Sequence, residues 1–137
     1  MPQNMHTTQG FEKPSWRFRL SSAAFAGVMW GSWAWWVNSG ASAQLQHAPW
    51  SEALTQGVGS FLITLVMVQL VTWFYYRLPR ATQVLLPALI TVLLTGTCLV
   101  TAHTLAGTQN VFRTITPALS VAFLFNIYTA IKLRYPA

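Results

Sequence analysis

Two acids, Glu12 and Glu52, stand against eight Lys and Arg and three His in a chain of 137 residues. Glu12 lies in a polar N-terminal segment and Glu52 at the edge of an apolar stretch. No carboxylate is therefore expected at membrane depth, and no carboxylate pair is available for acid–base work. The spacing His-x-x-x-His is missing, and no Cys–His pair has metal-like spacing. The single cysteine, Cys98, excludes an internal disulfide and a Cys-rich metal site. Ser and Thr abound, but no base is placed near any of them. The chain is read as a non-enzyme with no cofactor and no metal.

What remains is hydrogen bonding and one displaced cation. Arg113 and His103 are separated by nine residues across a short polar loop, so antiparallel helices would hold them at similar depth. Gln56, Ser60 and Thr64 recur every four residues, one face of a helix, and Arg113, Thr116 and Ser120 run down another. Asn38 closes the apolar stretch that precedes Gln56. Arg113, His103, Gln56, Asn38, Ser60 and Thr116 are the expected substrate-binding residues. Arginine binds phosphate or carboxylate through paired N–H donors. A lipid headgroup, a lipid-linked intermediate or a small anion would suit such a pocket. The plainer alternatives are that Arg113 snorkels to phosphates and that His103 caps or bridges its hairpin.

The elements that must position these residues are four apolar segments, near 18–38, 53–76, 84–105 and 111–131. Each is long enough to cross a bilayer as a helix. Hydrophobic residues make up 53% of the chain and charged ones 7%, far below the quarter usual in soluble domains. Short loops make successive helices antiparallel. The expected fold is all-α: a polytopic membrane protein with a compact up-down-up-down bundle of four transmembrane helices. A polar tail over 1–17 and a short tail over 132–137 flank it.

Lys13, Arg17, Arg19, Arg77, Arg80, Lys132 and Arg134 would all lie on one side of such a bundle. Cations concentrate in cytoplasmic loops, so both termini are expected there, in a bacterial inner membrane. Arg113 is the one cation on the opposite side. Trp16, Trp36, Trp50, Trp73, Tyr75, Tyr76, Tyr128 and Tyr135 fall where interfacial aromatics belong. Ala41-Ser42-Ala43 resembles a signal-peptidase site, but the apolar stretch before it is too long and too aromatic, so the first span is read as an uncleaved anchor.

Ala23, Gly27, Gly31 and Ala34 form a small-residue stripe on the first span. Such stripes let helix backbones approach closely, either within one chain or as a seam between copies. Trp33 and Trp36 are expected to face lipid, and Trp30 to face protein. Pro87 falls in a first turn and is harmless there. Pro117 lies inside the fourth span and should kink it, freeing a carbonyl near Arg113. Most Thr and Ser should bond their own backbone one turn back. Gln56, Gln69 and Asn126 need partners on other helices or in a cavity.

The positive charge does not imply nucleic acid, because the cations sit singly or in pairs at span ends. Small four-helix multidrug exporters bind cations and protons at a membrane Glu, which is not expected here. Gly59-Ser60-Phe61-Leu62 matches a short fragment of the second helix of fluoride channels. The membrane Asn that precedes it there and a Thr-Thr-Phe-Ser element are missing, so no family is taken from it. The favoured expectation is a small membrane protein that binds or moves an amphipathic or anionic molecule, with membrane lipids as partners and as a homo-oligomer. The alternative is a non-catalytic accessory or assembly subunit bound to an unrelated membrane partner.

Overall fold

The computed structural model describes residues 15–44 (backbone alone over 41–44) and 48–135. Of the tail expected over 1–17, residues 1–14, with Glu12 and Lys13, lie outside the described residues and 16–17 belong to the first helix; the side chains of Ala41-Ser42-Ala43 also lie outside the described residues. The described residues form four helices and no strand: α1 Trp16–Gln44, α2 Trp50–Arg77, α3 Leu85–Leu105 and α4 Val111–Arg134. Among them α2, α3 and α4 are long and apolar enough to cross a membrane. α1 is longer than any of them, at 29 residues, but it mixes Trp, Ser, Gly and two Arg among its apolar positions. That mixture lowers its mean hydropathy below theirs.

The helix ends follow local chemistry. α1 starts two residues earlier than expected because Ser15 Oγ accepts the Phe18 N–H at 3.3 Å, an N-terminal capping bond. α2 starts at Trp50, directly after Pro49, whose carbonyl accepts the Ala53 N–H at 3.1 Å. α4 runs three residues past the expected 131, and Lys132 and Arg134 complement the negative end of its dipole. α3 ends at a built turn. Gly107 has φ +75°, Thr108 N donates to His103 O at 3.0 Å, and Gly107 N donates to Thr104 O at 3.2 Å. This is a Schellman closure, and glycine supplies its left-handed residue without a Cβ penalty.

α2 packs against all three other helices, while α1 and α3 do not meet. The α1–α2 contact runs through glycine. A Cβ on Gly27 would stand 3.0 Å from Gly57 O, and one on Gly31 would stand 3.0 Å from Ala53 O. Ala23 and Ala34 continue this stripe and are fully buried. The small-residue face of α1 is thus used inside the chain. Close backbone approach replaces the hydrophobic drive that lipid cannot supply. Gly59 and Gly96 differ: they make room for the side chains of Leu99 on α3 and Leu119 on α4.

Candidate functional site

Polar groups at one end of the bundle form a cluster in two halves, with no hydrogen bond between the halves among the described residues: one joins α2 to α3 and the turn after it, the other joins α1 to α4. His103 is the centre of the first half and is fully buried. Its Nε2 lies 2.8 Å from Gln56 Oε1 on α2, and its Nδ1 lies 2.8 Å from Thr108 Oγ1 in the turn after α3. Gln56 Nε2 in turn donates to Ser60 Oγ at 3.2 Å. A Gln carbonyl only accepts, so His103 carries its hydrogen on Nε2 and takes the Thr108 hydroxyl at Nδ1. The Schellman turn is what brings Thr108 back onto the ring.

The second half of the cluster joins α1 to α4. Asn38 Nδ2 donates to Thr114 Oγ1 at 2.8 Å, and Asn38 Oδ1 accepts the Asn110 N–H at 3.3 Å. That N–H precedes α4 and has no helical partner, so Asn38 caps α4 from a neighbouring helix. Asn38, Gln56 and Thr114 are each 0% exposed. Helix-borne carboxamides in a dry interior must find partners, and these two have.

Glu52 keeps its expected place at the edge of the second span, in the first turn of α2, yet it is 3% exposed, and its Oε2 is buried with no hydrogen-bond partner among the described residues. Its position was legible: Glu52, Gln56 and Ser60 are spaced by four and share one face of α2.

Of the expected binding residues, Gln56, Ser60 and His103 share the first half of this cluster, and Asn38 belongs to the second. Arg113 and Thr116 do not, and both side chains are exposed. Thr116 Oγ1 bonds Phe112 O at 2.6 Å, one of many Thr and Ser groups that turn back on their own helix. The Arg113 backbone has the more definite role. Pro117 cannot donate to it, and Trp33 Nε1 on α1 donates to Arg113 O at 3.2 Å instead. Trp33, expected to face lipid, is therefore half-buried against α4, because the freed carbonyl attracts the nearest N–H. Trp36 is 65% exposed.

A second site was missed. Beyond Trp33 the seam between α1 and α4 widens into an apolar cleft of about 330 Å³ that reaches back to α2 and α3. Its rim includes exposed Phe18, Met29, Val121 and Phe125, and its wall includes Trp30, Met67 and Leu99. Only small hydroxyls interrupt the apolar wall: Ser22, Ser60, Thr64 and Thr95. Arg19 stands at the far end from His103, eleven residues or about 16 Å of helix from Trp30. Its guanidinium donates to Leu65 O at 2.8 Å. Gln69 turns its carbonyl oxygen to the same guanidinium and donates from its amide nitrogen to Leu65 O at 2.9 Å. These bonds fix the cation over the mouth of the cleft. The sequence signal was present in Gln69, a carboxamide in need of a partner one helix away from an arginine.

Elsewhere, Thr91 Oγ1 and both polar atoms of the Asn126 side chain are buried without partners among the described residues. No group of three or more metal-ligating side chains occurs among the described residues. Comparison with protein families, curated proteins and solved structures finds no match to this chain.

Proposed function

We propose that this chain is a four-span inner-membrane protein that binds an anionic amphiphile, with the acyl chain in the α1–α4 cleft and the headgroup at Arg19. The cleft is the observation that carries this reading. It offers a long apolar wall, a lateral opening between two helices, and a fixed guanidinium at one end only. A lipid-type molecule has the matching asymmetry: hydrocarbon that gains by leaving water, and an anion that arginine binds through its fork.

The membrane frame is part of the proposal. α1 is about 43 Å long at 1.5 Å per residue, enough to cross the hydrocarbon core despite its lower hydropathy. An up-down-up-down bundle with both termini cytoplasmic places Arg19 at the inner interface. Cations at that end lie over aromatic rings: Arg17 on Trp16 at 5.7 Å, Arg77 on Trp73 at 3.7 Å, and Lys132 on Tyr128 at 5.6 Å. Paired cations and exposed aromatic rings suit the headgroup level. The anionic class matches the sequence expectation, but the site moves from Arg113 to Arg19.

Purification into native-lipid particles, followed by mass spectrometry of bound lipid, tests the reading. The expected result is an anionic amphiphile retained by the native chain and lost from Arg19→Gln and from the cleft-filling Ala122→Phe. Equal retention by all three folded proteins would sink it. Stoichiometric co-purification of an unrelated membrane protein, with no retained amphiphile, would favour the accessory-subunit reading instead.

A further inference from the structure

An acid in the first turn of a helix usually needs nothing beyond water and the positive end of the dipole. Glu52 occupies that position in α2 and is enclosed. Its Oε2 keeps its lone pairs with no donor among the described residues. Burial of an acceptor without a partner is costly, and for a carboxylate the cost is greater still. One outcome removes the cost without moving the chain: the oxygen takes a proton.

Its surroundings are suited to that exchange. Glu52 stands one helical turn before Gln56 on the same face of α2, and Gln56 Oε1 lies 2.8 Å from His103 Nε2 on α3. Its Nδ1 faces a hydroxyl, and Thr108 Oγ1 either donates to a neutral ring or accepts from a protonated one by rotating its hydrogen. The cluster therefore accommodates either charge state of the ring without losing a bond. Other groups at this end are limited. α1 brings the neutral Asn38, α4 brings the neutral Thr114, and the Arg113 side chain is exposed. His47, between α1 and α2 in the sequence, lies outside the described residues.

We propose that Glu52 and His103 together form a proton-binding site. One proton arrives from the adjacent aqueous face. It is held as the carboxylic acid at Glu52 Oε2 or as the imidazolium of His103, and it returns to the same face. No other bond forms or breaks. The site supplies a buried carboxylate where the sequence, for want of one at membrane depth, leads to no expectation of an exporter-type membrane Glu. It also adjoins the cleft, since Gln56 bonds His103 on one side and Ser60, a cleft residue, on the other. The proposal stands whether or not the cleft holds an amphiphile.

The composition makes the test unusually clean, because the chain has two acidic side chains in total. In Glu12→Gln, glutamate labelled with ¹³C at its side-chain carboxyl reports Glu52 alone and leaves the site unmutated. Infrared spectra of the protein in vesicles are recorded as pH is stepped. The expected result is interconversion of carboxylate and acid, with the acid carbonyl at the frequency of a group sheltered from water. The midpoint should move when His103→Gln is added. The reference is Glu12 in the Glu52→Gln chain, an ordinary side chain in a polar segment. Three outcomes would overturn the proposal: a signal locked in one form at every pH, a band and midpoint that coincide with those of Glu12, or a midpoint unmoved by His103→Gln.

Discussion

His103 and Arg19 are both basic side chains near a helix terminus, yet one is wholly enclosed and the other stands exposed over a cleft. The enclosed residue has both ring nitrogens in hydrogen bonds drawn from two different elements. The exposed one is bound on one side by Leu65 O and Gln69 and open on the other. Around His103, small residues and a Schellman turn bring four helix ends together, and polar groups serve as cross-links. Around Arg19, α1 and α4 diverge, and apolar side chains line the space between them. Polar residues at the first end have their partners inside the protein, while Arg19 at the second end keeps an open side. Side-chain type alone does not separate these roles; the number of partners already satisfied does.

Four substitutions test that contrast. The largest effect is expected from His103→Leu, which leaves Gln56 Oε1 and Thr108 Oγ1 buried without a partner. Loss of about 3 kcal/mol is expected in denaturant unfolding in detergent micelles. Amphiphile binding by the remaining folded protein should change less than about twofold, and a selective loss of binding with full stability would reverse the assignment. Next is Arg19→Gln. Affinity for an anionic amphiphile should fall about tenfold, or about 1.4 kcal/mol, with stability held within about 0.5 kcal/mol. A neutral amphiphile of the same chain length should bind both proteins alike; if it loses affinity too, the guanidinium is not reading charge.

Trp33→Phe removes one interhelical bond, to the carbonyl that Pro117 leaves free. Interhelical bonds in membranes average about 0.6 kcal/mol, so a loss of up to about 1 kcal/mol is expected, and none in Pro117→Ala, where the carbonyl has a helical donor again. A double-mutant cycle between the two positions measures this directly. The smallest effect is expected from Arg113→Ala, within about 0.5 kcal/mol for stability and about twofold for binding. The sequence alone makes Arg113 the leading candidate. If its loss abolished binding while Arg19→Gln did not, the two ends would exchange roles.

Helices were legible because their signals are local. Apolar runs and Pro87 in a first turn set boundaries within three residues of those found, except that the first span, expected to end at 38, runs six residues further as α1 to Gln44. The small-residue stripe was legible too, since Ala23, Gly27, Gly31 and Ala34 share a face at helical spacing. Which surface it met was not, because Gly57 and Ala53 become its partners only when α2 lies against α1. The burial of Glu52 could have been read from its spacing to Gln56 and Ser60, but its position at a span edge suggested exposure. Arg19 was grouped with the interfacial cations because nothing in one dimension shows that it reaches Gln69, fifty residues on.

The sequence by itself determined the helical class, the lengths of the apolar segments and the segregation of charge. Those follow from backbone hydrogen bonding and from the cost of placing ions in hydrocarbon, both of which act residue by residue. It also determined that Pro117 would release a carbonyl. Only the tertiary structure decided what answered that carbonyl, which polar groups became cross-links, and where a cleft stayed open. These outcomes depend on which helices touch and at which height. Asn38, Gln56 and His103 found partners because donors and acceptors on other elements met them at hydrogen-bonding distance, and Arg19 kept an exposed side over the cleft.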